Sequence, residues 1–85
     1  MRISIELSFY PLAEEFKPPI KEVINKLQSY PAVEVHANRM STQLFGEFKA
    51  VTTALNTTMQ WSFEQFGQAV FVAKIMNADR SPKNV

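Results

Sequence analysis

Cysteine is absent from these 85 residues, so no disulfide framework, thiolate metal site, iron–sulfur cluster or cysteine nucleophile can be built from them. Histidine occurs once, as His36, and a lone imidazole does not supply a metal cluster. With two glycines in the whole chain there is no phosphate-cradling loop and no dinucleotide fingerprint. Neither sign of charge dominates: nine Lys and Arg stand against eight Asp and Glu, a net charge of +1, and they are scattered. Without a basic stripe to follow phosphates, nucleic acid is not expected as a partner. No stretch approaches the apolar length of a membrane span, and Arg2, Ser4 and Glu6 break the opening segment before a signal peptide can form. A cytoplasmic protein with no membrane partner is the expectation.

What is present describes one folded unit. The chain is 46% hydrophobic and 20% charged, a globular balance. A domain of this size buries one core and stands near the break-even point between burial and lost conformational entropy, so a second subunit is a natural source of stability.

Along the chain the apolar period changes from two to 3.6 and back, twice. Ile3, Ile5, Leu7 and Phe9 alternate with Arg2, Ser4, Glu6, Ser8 and Tyr10, which predicts a first strand over 2–10 with one core face. Pro19 suits a helix's first turn, and Ile20, Val23, Ile24 and Leu27 predict a helix over 19–29. Val33, Val35 and Ala37 predict a second strand. A turn near Asn38 and Arg39 then leads into a third over Ser41–Phe45, which Gly46 bends or ends. A longer helix fits 48–66, with Phe48, Val51, Leu55, Met59, Phe63 and Phe66 as its expected inner stripe and Gly67 as its C-cap. The last strand, 68–76, is apolar on both sides: Ala69, Phe71, Ala73 and Ile75 on one, Val70, Val72 and Met76 on the other. Both of its faces need cover.

The order strand, helix, strand, strand, helix, strand is that of a ferredoxin-like α+β domain, a split β-α-β repeat. Right-handed crossovers place both helices on one face of a four-stranded antiparallel sheet and leave the other face open for association. Residues 1–77 are read as this single domain and 78–85 as a polar tail. The architecture serves enzymes, RNA binders and small-molecule sensors alike, so function has to come from particular residues.

No nucleophile elbow or Ser-His-Asp arrangement is evident, and acid–base chemistry would require Glu6, His36 and Glu47 to converge. No catalytic residue, metal or cofactor is expected, and the chain is not read as an enzyme. Glu6 interrupts the outward side of the first strand, either as an ion-pairing residue with Lys74 as partner or as an anchor for a cationic or amino-substituted ring. Tyr10, Phe45, Trp61 and Phe71 offer stacking area, with Phe45 and Phe71 weighted toward the core. Asn38, Ser41 and Thr42 suit the donors and acceptors of a neutral heterocycle, while ordinary hairpin chemistry explains Asn38 and strand propensity explains Thr42.

Two segments carry a family resemblance. Leu7-Ser8-Phe9-Tyr10-Pro11-Leu12 resembles the Ser-Leu-Tyr-Pro segment of the YkoF-like family, and Met40-Ser41-Thr42-Gln43-Leu44-Phe45-Gly46 resembles its Ile-Ser-Thr-x-Leu-x-Gly segment. The similarity reaches through about residues 3–77. Lys74-Ile75-Met76-Asn77-Ala78 departs from the Met-Asn-Gly pattern of the tandem-domain relatives. The resemblance implies a ferredoxin-like domain that binds thiamine or hydroxymethylpyrimidine, for storage, delivery or sensing. It also implies a homodimer or homotetramer joined through the sheets. Ser8 and Tyr10 fall in the first segment, Ser41 and Thr42 in the second, and Asn38 just before it. Glu6 joins these as a ligand-binding candidate on chemical grounds alone. The alternative function is a structural or regulatory homo-oligomer that binds no thiamine.

Overall fold

The computed structural model describes residues 1–12, 14–15 and 17–83; residues 84 and 85 of the expected tail lie outside the described residues. Six elements follow in the expected order: β1 (Arg2–Pro11), α1 (Lys17–Gln28), β2 (Glu34–Ala37), β3 (Thr42–Glu47), α2 (Phe48–Phe66) and β4 (Ala69–Met76). They form a four-stranded antiparallel sheet in the order β2-β3-β1-β4, with both helices on one face, the ferredoxin-like α+β arrangement. α1 starts two residues before the expected Pro19 and takes both Pro18 and Pro19 into its first turn. Backbone N–H groups there have no intrahelical acceptor, so proline removes nothing.

The strand register decides which side chains meet the helices. Ile5 lies opposite Leu44 of β3 and Ile75 of β4, and Leu44 lies opposite Val35 of β2, so one row of apolar residues crosses the helix side of the sheet, with Ile75 left exposed at its β4 end. Ile3, Ile5, Leu7, Val23, Leu27, Leu44, Val51 and Leu55 are buried together as the core. The expected inner stripe of α2 needs correction. Val51, Ala54, Leu55, Thr58 and Ser62 are the buried residues of the helix, whereas Phe48 and Phe63 are about half exposed. Small side chains let the helix approach the sheet closely, and the bulky Phe63 is displaced to the edge, where its ring meets that of Phe71 at 5.6 Å.

The open face is not open along its whole length. After β4 the chain turns back: Ser4 Oγ donates to the Ala78 carbonyl at 2.7 Å and accepts from the Arg80 N–H at 2.8 Å. Arg2 Nε lies 2.8 Å from Asp79 Oδ2, and the Ser81 N–H donates to Asp79 Oδ1 at 2.9 Å. Ser4 and Ser81 are buried as a result. Phe45, which stands beside Ser4 on this face, is only 3% exposed although it is outside the helix-side core.

Hydrogen bonds from Ser81, and then from Arg2, hold the Asp79 carboxyl down at about 2, below its usual 3.8. A carboxyl depressed in the folded state stabilises it fully above the ordinary carboxylate range, and that contribution fades as the pH falls through about 2. Acidification from pH 5 to pH 2 is therefore expected to loosen the return segment. The amide resonances of Arg80 and Ser81 should shift in step with Asp79, and in Asp79→Asn the same resonances should be loosened already at pH 5 and not titrate. Resonances unchanged down to pH 2 in the unsubstituted chain would show that the carboxylate does not hold the segment.

Candidate binding cleft at the end of the sheet

β1 is longer than the strand beside it. Its ladder with β3 ends at Leu7 opposite Thr42, while its ladder with β4 continues to Pro11 opposite Ala69. Over residues 8–11 the β3 side of β1 therefore faces a gap. α1 closes that gap from the helix side and the β2–β3 turn closes it at the end. The result is a cleft of about 360 Å³, within the range of small-molecule sites.

Its floor is apolar, from Leu7, Phe9, Ile20, Val23, Ile24 and Leu27, and its polar groups come from Ser8, Tyr10, Asn38, Ser41 and Thr42. Arg39 is the single charged residue among those that line it. Tyr10 is exposed, Ser8 and Ser41 are partly buried, and Thr42 is buried on the helix side opposite Leu7.

The turn that carries the cleft's rim is built by Asn38. Its Oδ1 accepts from the N–H of Met40 at 2.8 Å and of Ser41 at 2.9 Å, and its own N–H donates to the Ser41 carbonyl at 3.0 Å. Hairpin chemistry thus occupies the side-chain oxygen, and the Nδ2 group is the part of the amide left to read a ligand's acceptor.

Five of the six candidate residues line one cleft; Glu6 does not. It sits on the open face, where Ser41 Oγ donates to its Oε2 at 3.1 Å and Lys74 Nζ lies 3.4 Å from its Oε1. The partnership with Lys74 is the ion-pairing alternative read from the strand pattern. Ser41 links the two regions, touching Glu6 on one side and the cleft on the other.

The aromatic candidates separate as well. Phe9 and Phe71 stack at 4.6 Å between ring centres. Trp61 packs edge-on against Phe66 at 5.5 Å, with Lys26 Nζ 5.5 Å above its ring, and so belongs to the packing of the helices. His36 Nε2 lies 2.6 Å from Glu34 Oε2. Glu47 meets the N-terminal amine at 3.1 Å, so Glu6, His36 and Glu47 each have different partners. Among the described residues no three His, Asp or Glu side chains come together as a metal site, and no helix is long and apolar enough to cross a membrane.

Sequence reasoning missed the floor. Ile20, Val23, Ile24 and Leu27 read as ordinary helix-to-core contacts; what turns part of that stripe into a cleft is the mismatch in length between β1 and β3.

No protein-family signature matches the chain, and no curated protein matches it in sequence. Solved structures do share its fold. A Thermotoga maritima protein provisionally described as a thiamine biosynthesis/salvage protein is 15% identical, with a TM-score of 0.82 over 92% of this chain and 85% of that one. A hypothetical protein of Methanocaldococcus jannascii is 20% identical, with a TM-score of 0.80 over 99% of this chain and 88% of the other. A Streptococcus pneumoniae protein is 22% identical, with a TM-score of 0.75 over 98% and 94% of the two chains.

Proposed function

We propose that this chain binds thiamine or a related pyrimidine metabolite noncovalently, for storage, delivery or sensing, without a chemical step of its own. One observation carries the reading: the cleft at the end of β1 combines an apolar floor with a rim of hydroxyl and amide groups, as a flat, neutral heterocycle requires. The likeness in fold to the Thermotoga maritima protein, with the thiamine description that protein carries, supports the same reading.

In this proposal the aminopyrimidine enters between α1 and the unpaired side of β1. Ser8, Ser41, Thr42 and Asn38 Nδ2 meet its ring nitrogens and amino group, and Tyr10 covers its face. Among the described residues no carboxylate lines the cleft, so the cationic part of thiamine stays at the mouth, where Glu6 is reached through Ser41. Association of the sheets into a homodimer or homotetramer belongs to the same proposal. The exposed apolar side chains of β4 favour a second reading, a structural or regulatory assembly without this ligand.

Calorimetric titration of thiamine, and separately of hydroxymethylpyrimidine, into the folded protein tests the proposal. Saturable binding near one ligand per subunit is expected. Ser41→Ala and Thr42→Ala should each weaken it roughly five- to tenfold, the effect of losing about one hydrogen bond, with unchanged circular dichroism. Heats equal to dilution for both compounds at tens of micromolar protein would overturn it.

A further inference from the structure

The two edges of the sheet are unlike. β2, at one edge, has four residues and carries Glu34 and His36, the short and polar form in which natural proteins protect an edge. β4, at the other, has eight residues, pairs with β1 in unbroken register without a bulge, and contains no proline and one charge, Lys74. Among the described residues no strand lies on its outer side. Val70, Val72, Ile75 and Met76 are between 43% and 59% exposed, and they project from both faces of the sheet. Ile75 is on the helix side, in register with buried Ile5, yet the helices do not cover it.

We infer that β4 pairs antiparallel with β4 of a second copy of this chain, about a two-fold axis at Ala73, to give one continuous eight-stranded sheet. A partner strand for this edge has to be apolar on both of its faces. In this chain that pattern belongs to β4, whereas β1 and β2 alternate. The register follows from the side chains. Centring on Lys74 would set two ammonium groups directly opposite, which is unfavourable. Centring on Ala73 sets Lys74 opposite Val72, Val70 opposite Met76 and Ile75 opposite Phe71. Phe71 already carries the half-exposed ring of Phe63 against it. Each exposed Ile75 thereby meets the partly buried Phe71 of the other copy and the half-exposed Phe63 beside it.

This rests on the self-association proposed above and adds the surface and register through which it occurs. Because the chain contains no cysteine, single-cysteine variants report contacts cleanly. Ala73→Cys is expected to oxidise to a covalent dimer, since opposed strand residues lie within disulfide range, while Glu34→Cys on the other edge is not. By sedimentation velocity, Ile75→Lys and Val72→Lys should each weaken pairing roughly 30-fold or more and halve the assembly mass, with the circular dichroism of the parent. A parent chain that stays at 9.7 kDa at high concentration overturns both this inference and self-association. An assembly unaffected by both lysine variants, and no cross-link at residue 73, overturns the β4 interface and leaves self-association standing.

Discussion

Leu44→Ala is expected to lower the stability of this domain by about 3–5 kcal/mol, the range for a fully buried leucine whose neighbours relax only partly into the space left. Leu44 is 0% exposed, lies between Ile5 and Val35 in the register and belongs to the central core row. For a chain of this length each kcal/mol moves the melting temperature by roughly 4–8 °C, so a fall of about 12–40 °C follows. Leu12→Ala supplies the control with the same chemistry. Leu12 is 63% exposed, and its loss is expected to move stability by less than about 0.5 kcal/mol. Thermal melts of both variants should be compared at one protein concentration, because self-association adds to apparent stability. Similar melting temperatures for the two would mean that the apolar row is not the core.

Adding one methyl group at Gly46 is expected to be nearly as damaging. A Cβ at Gly46 would stand 2.9 Å from the Ala32 carbonyl oxygen and 3.0 Å from Val51 Cγ2. One neighbour is backbone at the entry to β2 and the other is a buried side chain of α2, so neither yields by turning a flexible end. Gly46→Ala should therefore destabilise by about 2–3 kcal/mol through overpacking, with its φ of 158° adding to the cost. Gly67 isolates the cost of backbone conformation. It caps α2 at φ 77° and ψ −146°, a region close to glycine-only, with nothing within 4 Å of an added Cβ. Gly67→Ala should cost about 1–2 kcal/mol by strain alone. Denaturant unfolding of the two variants measures both; a larger loss at Gly67 would reverse the assignment of causes.

Elements with a regular period were legible before any coordinates. Ile3, Ile5, Leu7 and Phe9 declare a half-buried strand, and the six-element order leads to the sheet that is observed. α2 was legible as a helix but not in its rotation. Its phenylalanines attract a reading by hydrophobicity, whereas packing against a sheet selects for close fit and buries Ala54, Thr58 and Ser62. Phe45 was rightly weighted toward burial, whereas the return of Ala78–Arg80 onto its neighbour Ser4, beyond the last strand, is announced by no local pattern. The candidate cleft was half legible. Turn and strand chemistry marked Asn38, Ser41 and Thr42, and the first strand marked Ser8 and Tyr10. That they surround one space depends on β1 outrunning β3, a matter of register between residues about 35 apart.

The central position of β1 has a consequence for biosynthesis. Of the six elements it is made before the others and has no lasting partner strand until β3 appears; its other flank stays unpaired until residues 69–76 have been added. Ser4 then waits longer still, for Ala78 and Arg80. An apolar strand translated ahead of both its partner strands is exposed to wrong pairings until they arrive. The Glu6 carboxylate, set against Lys74 only when β4 arrives, keeps a charge at the middle of that strand for the whole interval.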